Sequence, residues 1–325
     1  MIATLNGSFP WRETEAGREI ADLRRRLLAG EACGDALRLA QDRATREAIE
    51  AQARAGLDLV TDGLVRWEDP VAGLVARLAG LERGEDRVGF PGSGAPYAAP
   101  IASGEVAWRE PILSEDFLFA RQGSPRPVKV VLTGPFTIAR LAEDRAYGDP
   151  AALAMGLASA LNQELRSLQA AGCGFIQVNE PALLEARDEF PVFTRLWEVL
   201  GRGVTVTLCL HLAGAGLDGL YPAVTRLKRL GCLSVDGVSG LAGLGRMGAA
   251  QFPEGLQLGL GLVDGRSATV EEGRSLAETV KSLPGLPPPD RILLGTVGDL
   301  GELSPEVASA KLQSLAGAAR LLEGR

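Results

Sequence analysis

Short apolar runs, each closed by polar or turn-forming residues, recur along the whole chain, at Ile2 to Asn6, Leu57 to Thr61, Val128 to Leu132 and Phe175 to Val178. The series continues through Val204 to Leu208, Leu233 to Val235, Leu256 to Leu260 and Ile292 to Leu294. Runs of this length bounded by Gly, Asp, Asn and Thr predict buried strands. Between most of them lie longer stretches with helical spacing of Ala and Leu, such as Asp42 to Ala55, Pro150 to Ala171 and Pro305 to Leu322. A strand followed by a helix, repeated along the chain, predicts parallel pairing, and no glycine-rich phosphate fingerprint follows the first strand. The expected fold is therefore α/β, a (β/α)8 TIM barrel forming one domain over residues 1–325. One stretch breaks the rhythm. Residues 63–127 are too long for a single crossover and are rich in Gly and Pro, which predicts an insertion after strand two holding a helix and a hairpin.

Composition narrows the class without changing the fold. With 46% hydrophobic and 23% charged residues, the chain has ample material for a core. A net charge of -7 without long basic tracts argues against nucleic acid as a partner. The run Arg24-Arg25-Arg26 reads as a solvated helix face. No apolar stretch is long enough for a membrane span and no signal peptide opens the chain, so a cytoplasmic location is expected. Four scattered cysteines, Cys33, Cys173, Cys209 and Cys232, point to reduced thiols.

In a barrel of this kind the chemistry sits at the C-terminal ends of the strands. There the chain places Gly7-Ser8, Asp62, Thr133, Asn179-Glu180, Cys209 with His211, Asp236, and Asp264 with Arg266. Turn propensity accounts for part of this set. It does not account for Cys209 and His211, two residues apart on one strand and so facing the same way, followed by an acid on the next. Cys209, His211 and Asp236 form a candidate three-ligand zinc site with an open position for an incoming thiolate. The competing reading makes Cys209 a small buried hydrophobe and His211 a hydrogen-bonded interior residue. Cys232 lies about 13 Å along its strand from Asp236, too far to act as a fourth ligand.

At these residues the chain resembles the catalytic half of cobalamin-independent methionine synthase, nearly end to end. The likeness is carried by Thr4 to Pro10, by Leu132-Thr133-Gly134-Pro135-Phe136-Thr137, and by Ile176 to Leu183 with its Asn179-Glu180-Pro181 core. Gly104 to Trp108 and Gly261 to Arg266 are also similar to segments of the family. The resemblance implies a methyl transfer to homocysteine or a related thiol, with methyltetrahydrofolate or a corrinoid protein as donor and zinc as activator. It assigns Gly7, Ser8, Asp62, Thr133, Asn179 and Glu180 to the substrate, Cys209, His211 and Asp236 to the metal, and Asp264 and Arg266 to catalysis. The family's His-x-Cys pair is inverted here to Cys209-Leu210-His211, its glutamate reads Asp236, and its distal cysteine is missing from Val297-Gly298-Asp299. Two anions that face the amino-acid ammonium in the family are replaced by Leu64 and Asn179. Two further functions fit the same scaffold: a metal-free decarboxylase or lyase using Arg140, Asp264 and Arg266 on carboxylates, and a non-catalytic binding protein.

Overall fold

The computed structural model describes residues 1–214, 216–239 and 252–324. Its main sheet has seven strands in the order β1 (Ile2–Ala3), β10 (Ile292–Val297), β9 (Gln257–Asp264), β8 (Cys232–Asp236), β7 (Thr207–Leu212), β6 (Phe175–Asn179) and β4 (Val130–Thr133). Every pairing in it is parallel. The sheet curls, and its two edges are linked through Leu59 and Val60. Leu59 N–H donates to the Ala3 carbonyl at 3.3 Å, Val60 N–H to the Pro127 carbonyl at 3.0 Å, and Lys129 N–H to the Val60 carbonyl at 2.9 Å.

The expected run Leu57 to Thr61 is thus present only as two bridging residues. Gln52 explains part of this, because its side chain takes the place of a ladder: the amide accepts from Thr61 N–H at 2.9 Å and donates to the Thr61 carbonyl at 2.9 Å. The fifth expected strand also moves, from Val204–Leu208 to Thr207–Leu212, because Val204 closes a turn onto the Gly201 carbonyl. Helices fall close to their expected ranges. The helix expected from Asp42 begins earlier, as α2 (Gly34–Ala55), and the others run from Pro150 to Ala170 and from Pro305 to Glu323. Asp149 and Ser304 cap the last two, each followed by proline at the first helical position. The arginine run lies on the helix Glu15–Leu28, where Arg25 pairs with Asp22 and Arg26 with Glu31.

Between residues 63 and 127 the chain forms a short helix (Ala72–Val75), an antiparallel hairpin of β2 (Ala79–Val88) and β3 (Pro96–Ala107), and the helix Ser114–Gly123. Strand β3 pairs in turn with β5 (Glu143–Asp144). Glu164 pins the end of this segment to the helix Pro150–Ala170. Its buried carboxylate accepts from the Trp108 indole at 2.7 Å and from the Ile112 and Leu113 amides at 2.8 Å each. Among the described residues no helix is long and apolar enough to cross a membrane.

Candidate active site

Alternation along each parallel strand sends one set of side chains into the curl of the sheet. Thr4, Asn6, Lys129, Phe175, Gln177, Cys209, Cys232, Ser234, Gly259, Leu293 and Gly295 meet there around a void too narrow for water. The floor is therefore packed, and chemistry is confined to the layer above it. Small residues make the packing possible: a side-chain carbon at Gly295 would lie 2.5 Å from the Asn6 amide nitrogen.

Cys209 belongs to this floor. It is the register partner of Cys232 on the neighbouring strand, and both are buried free thiols. A hydrogen bond with Cys209, together with burial, pushes the Cys232 thiol well above its ordinary range. His211 stands one layer higher, opposite Ser234, with Nδ1 2.9 Å from the Ser234 hydroxyl. Burial pushes its imidazole down to about 3, and the Lys129 charge adds to the effect, so the ring is neutral at physiological pH. Its Nε2 is buried without a partner among the described residues. Asp236 ends the next strand, where Oδ1 accepts from the Val238 amide at 2.7 Å and the Ser239 amide at 2.8 Å. Its Oδ2 is likewise buried and without a partner among the described residues.

The metal trio expected from the sequence does not gather. Among the described residues, no three His, Cys, Asp or Glu side chains come close enough to hold an ion. The two orphaned atoms of His211 and Asp236 are donors a zinc ion would use, but Cys209 faces Cys232 about one strand repeat of 7 Å below His211. Two donors fall short of the three protein ligands of a catalytic zinc site. Asp299 does not supply the third. Its Oδ1 accepts from the Ser8 amide at 2.6 Å, and its carboxyl presses on Gly7, where an added side-chain carbon would lie 2.1 Å from the oxygen.

The remaining expected residues divide into rim and support. Gly7 accepts from the Thr61 hydroxyl at 3.2 Å, which ties the first turn to the second. Asp62 accepts from the Leu64 amide at 3.0 Å, and burial raises its carboxyl. The Thr133 hydroxyl donates to the Pro70 carbonyl at 2.6 Å. Glu180 turns away from the mouth and caps the helix Pro135–Leu141, accepting from Phe136 N–H at 3.0 Å, Thr137 N–H at 2.7 Å and the Thr137 hydroxyl at 2.6 Å. Gly134 makes room for it, since a side-chain carbon there would meet Oε1 at 2.2 Å. Burial still lifts the Glu180 carboxyl to about 7. At the rim, Arg266 is exposed, and its Nε donates to Asp264 at 2.7 Å while a terminal nitrogen reaches the Ser239 hydroxyl at 3.2 Å. Arg140, the other carboxylate handler of the lyase reading, pairs instead with Glu189 at 2.6 Å.

Sequence reading passed over Lys129, which is 1% exposed. Its ammonium donates to Asn6 Oδ1 at 3.0 Å and Gln177 Oε1 at 2.7 Å, and lies 5.7 Å from the centre of the Phe175 ring. Burial lowers it to about 8. A lysine inside the apolar run Pro127-Val128-Lys129-Val130-Val131 was the available signal, because lysine is almost never fully buried without a partner.

Comparison with known proteins agrees with this architecture. Residues 1–194 match the family model described as cobalamin-independent synthase, catalytic domain, and residues 105–286 match that of its N-terminal domain. A methionine synthase from Saccharolobus solfataricus is 28% identical over 292 residues, covering 88% of this chain and 86% of its own. One from Sulfolobus acidocaldarius is 26% identical over 313 residues, covering 95% and 88%. Among solved structures, a B12-independent methionine synthase from Shewanella sp. W3-18-1 in complex with selenomethionine superposes with a TM-score of 0.83 at 22% identity, covering 99% of this chain and 97% of that one. A putative vitamin-B12 independent methionine synthase from Listeria monocytogenes gives 0.76 at 17% identity, covering 99% of each chain. With the catalytic-domain model matching more than half of its length, the chain belongs to the cobalamin-independent methionine synthase family of methyltransferases.

Proposed function

We propose that the chain is a cytoplasmic S-methyltransferase that moves a methyl group from a folate or corrinoid donor to a small thiol, homocysteine or a relative of it. In this reading residues 1–325 form one (β/α)8 barrel with residues 63–127 as an insertion, and the reaction takes place at its C-terminal mouth. The observation that carries it is a pair of buried polar atoms on adjacent strands, His211 Nε2 and Asp236 Oδ2, without a partner among the described residues; Nε2 is an acceptor when Nδ1 holds the ring proton toward Ser234. In the transfer a sulfur–carbon bond forms, the bond between methyl and donor breaks with its electron pair staying on the donor, and the thiol proton passes to solvent or to the departing donor. A neutral imidazole held through its other nitrogen, or a carboxylate held through its other oxygen, can accept a hydrogen bond from that thiol without first giving up a partner. Asp264 and Arg266 stand at the rim, where Arg266 can clamp a carboxylate or phosphate of either substrate. Gly7, Ser8, Asp62 and Asn179 line the entry, while Thr133 and Glu180 fix the turns behind it. Zinc has no step in this scheme, since the donors present fall short of its ligand set.

The test is direct. Purified protein is supplied with methyltetrahydrofolate or methylcobalamin and a panel of thiols, with and without added zinc, and the thioether is measured by mass spectrometry. Turnover that is lost in His211→Ala and Asp236→Ala supports the reading. Absence of thioether with every donor and thiol, from folded protein, sinks it.

A further inference from the structure

The interior hydrogen bonds have a direction, and Lys129 sets it. An ammonium group can only donate, so Asn6 and Gln177 must both turn their carbonyl oxygens toward it. That choice fixes the other end of each amide. Asn6 Nδ2 donates to the Thr296 carbonyl at 2.8 Å. Gln177 Nε2 donates to the Asn6 carbonyl at 2.9 Å and to Asn179 Oδ1 at 2.8 Å. Asn179 has therefore spent its acceptor inward. Its remaining group, the Nδ2 amine, has no partner among the described residues, and Asn179 is the half-buried residue that ends β6. The relay runs from a buried cation to the mouth, and each bond in it admits one orientation.

We infer that Lys129, acting through Gln177, is a positioning residue that makes Asn179 present a hydrogen-bond donor at the mouth, so that the site takes a thiol whose second group is an anion rather than an ammonium. This deepens the function proposed above and rests on it only for the place where the ligand enters. One further feature favours the same ligand. Among the described residues Lys129 has no carboxylate as a hydrogen-bond partner, so no direct ion pair neutralises its charge beneath the mouth. At the rim the Arg266 guanidinium is already paired with Asp264 at 2.7 Å.

The informative variant is Gln177→Glu. A carboxylate at 177 still accepts from Lys129, but it cannot donate to Asn179. Asn179 then turns its amine inward and its oxygen outward, and the new carboxylate also pairs with the Lys129 charge, so both features are removed in the same direction. Binding is measured by calorimetry with 3-mercaptopropionate, a thiol bearing a carboxylate, and cysteamine, a thiol bearing an ammonium. A sulfur-free pair, butanoate and butylamine, is run beside them. Wild type is expected to favour the carboxylate of each pair by about tenfold, the scale of one hydrogen bond to a charged group. Gln177→Glu is expected to abolish or reverse that preference. Asn179→Asp, changed at the half-buried mouth, should shift it the same way and serves if Gln177→Glu fails to fold. A wild type without preference, or a folded variant that keeps the wild-type ratio, overturns the inference. A carboxylate preference that persists in the sulfur-free pair while no thiol is ever methylated leaves the inference standing and removes the proposed function.

Discussion

Cys209 and Cys232 are register partners on adjacent parallel strands, and a hydrogen bond joins their buried thiols beneath the layer that holds His211. This places Cys209 in the packing of the interior and separates it from the two unpartnered acceptors above. The inverted Cys-x-His pair thus has a physical consequence: exchanging the two positions along the strand moves the thiol down one layer and the imidazole up one.

Cys209→Ala is therefore expected to keep methyl transfer within about threefold of wild type and to cost about 1–2 kcal/mol of stability, as removal of one buried heavy atom does. His211→Ala should lower kcat by about tenfold or more, the scale of one lost hydrogen bond to the reacting thiol. Steady-state kinetics and urea unfolding on both variants separate the two roles. A Cys209→Ala enzyme as inactive as His211→Ala would return the thiol to the reaction centre.

Much of this was legible in the sequence, for reasons that differ by residue. Continuous apolar runs and turn chemistry marked seven of the eight strand positions, the fifth of them three residues early, because a parallel strand buried on both faces must be apolar and must end in a turn. The bridging pair Leu59 and Val60 was visible only as part of a longer run, since nothing local announces that Gln52 will take over the hydrogen bonds of Thr61. At the site, spacing put Cys209 and His211 on one face of a strand and Asp236 at the end of the next, and the structure leaves an atom without a partner among the described residues on His211 and on Asp236. Spacing does not say which layer a side chain occupies, so it grouped Cys209 with them. Spacing is equally silent on what a side chain at Glu180 will bond. Its position promised an acid at the mouth, but the free amides of the helix starting at Pro135 lie closer and take up its oxygens.

Glu164 is expected to be among the most sensitive positions outside the mouth. It is fully buried and satisfies three donors, from Trp108, Ile112 and Leu113. Glu164→Ala removes all three acceptors at once and leaves the donors buried, which should cost about 3–5 kcal/mol. Equilibrium unfolding in urea reads the loss. A change below about 1 kcal/mol would mean that the segment from Gly104 to Leu113 is not held by this carboxylate.

Glu180 gives a pH dependence whose sign is fixed by its environment. Its carboxyl is raised to about 7 in the folded chain, against an unfolded value near 4.5. As pH falls from 7 to 4.5 the folded state takes up the proton first, so this group's contribution to stability is greatest below 4.5 and is lost as pH rises through 7. Relative to Glu180→Gln, which cannot titrate, wild type should gain up to about 3 kcal/mol between pH 7 and 4.5. Parallel stability curves for the two proteins across that window would show that the carboxyl titrates near its ordinary value.

His211 is the only histidine in the chain, so its ring protons can be followed by NMR without assignment. Burial and the Lys129 charge push its imidazole down to about 3, from an ordinary 6.5. The resonances should stay fixed between pH 8 and 5, where an exposed histidine would shift through most of its range. The linked effect on stability runs opposite to that of Glu180. Below pH 6.5 the unfolded chain binds a proton that the folded chain refuses, so the contribution of His211 is full above 6.5 and is lost as pH falls toward 3. The Lys129→Met variant separates the two causes. If the ammonium matters as its place beneath the ring implies, the His211 midpoint should rise in the variant yet stay below 6.5, because burial remains. A wild-type midpoint near 6.5 would instead mean that water reaches Nε2, and the unpartnered atom on which the proposed thiol contact depends would be lost.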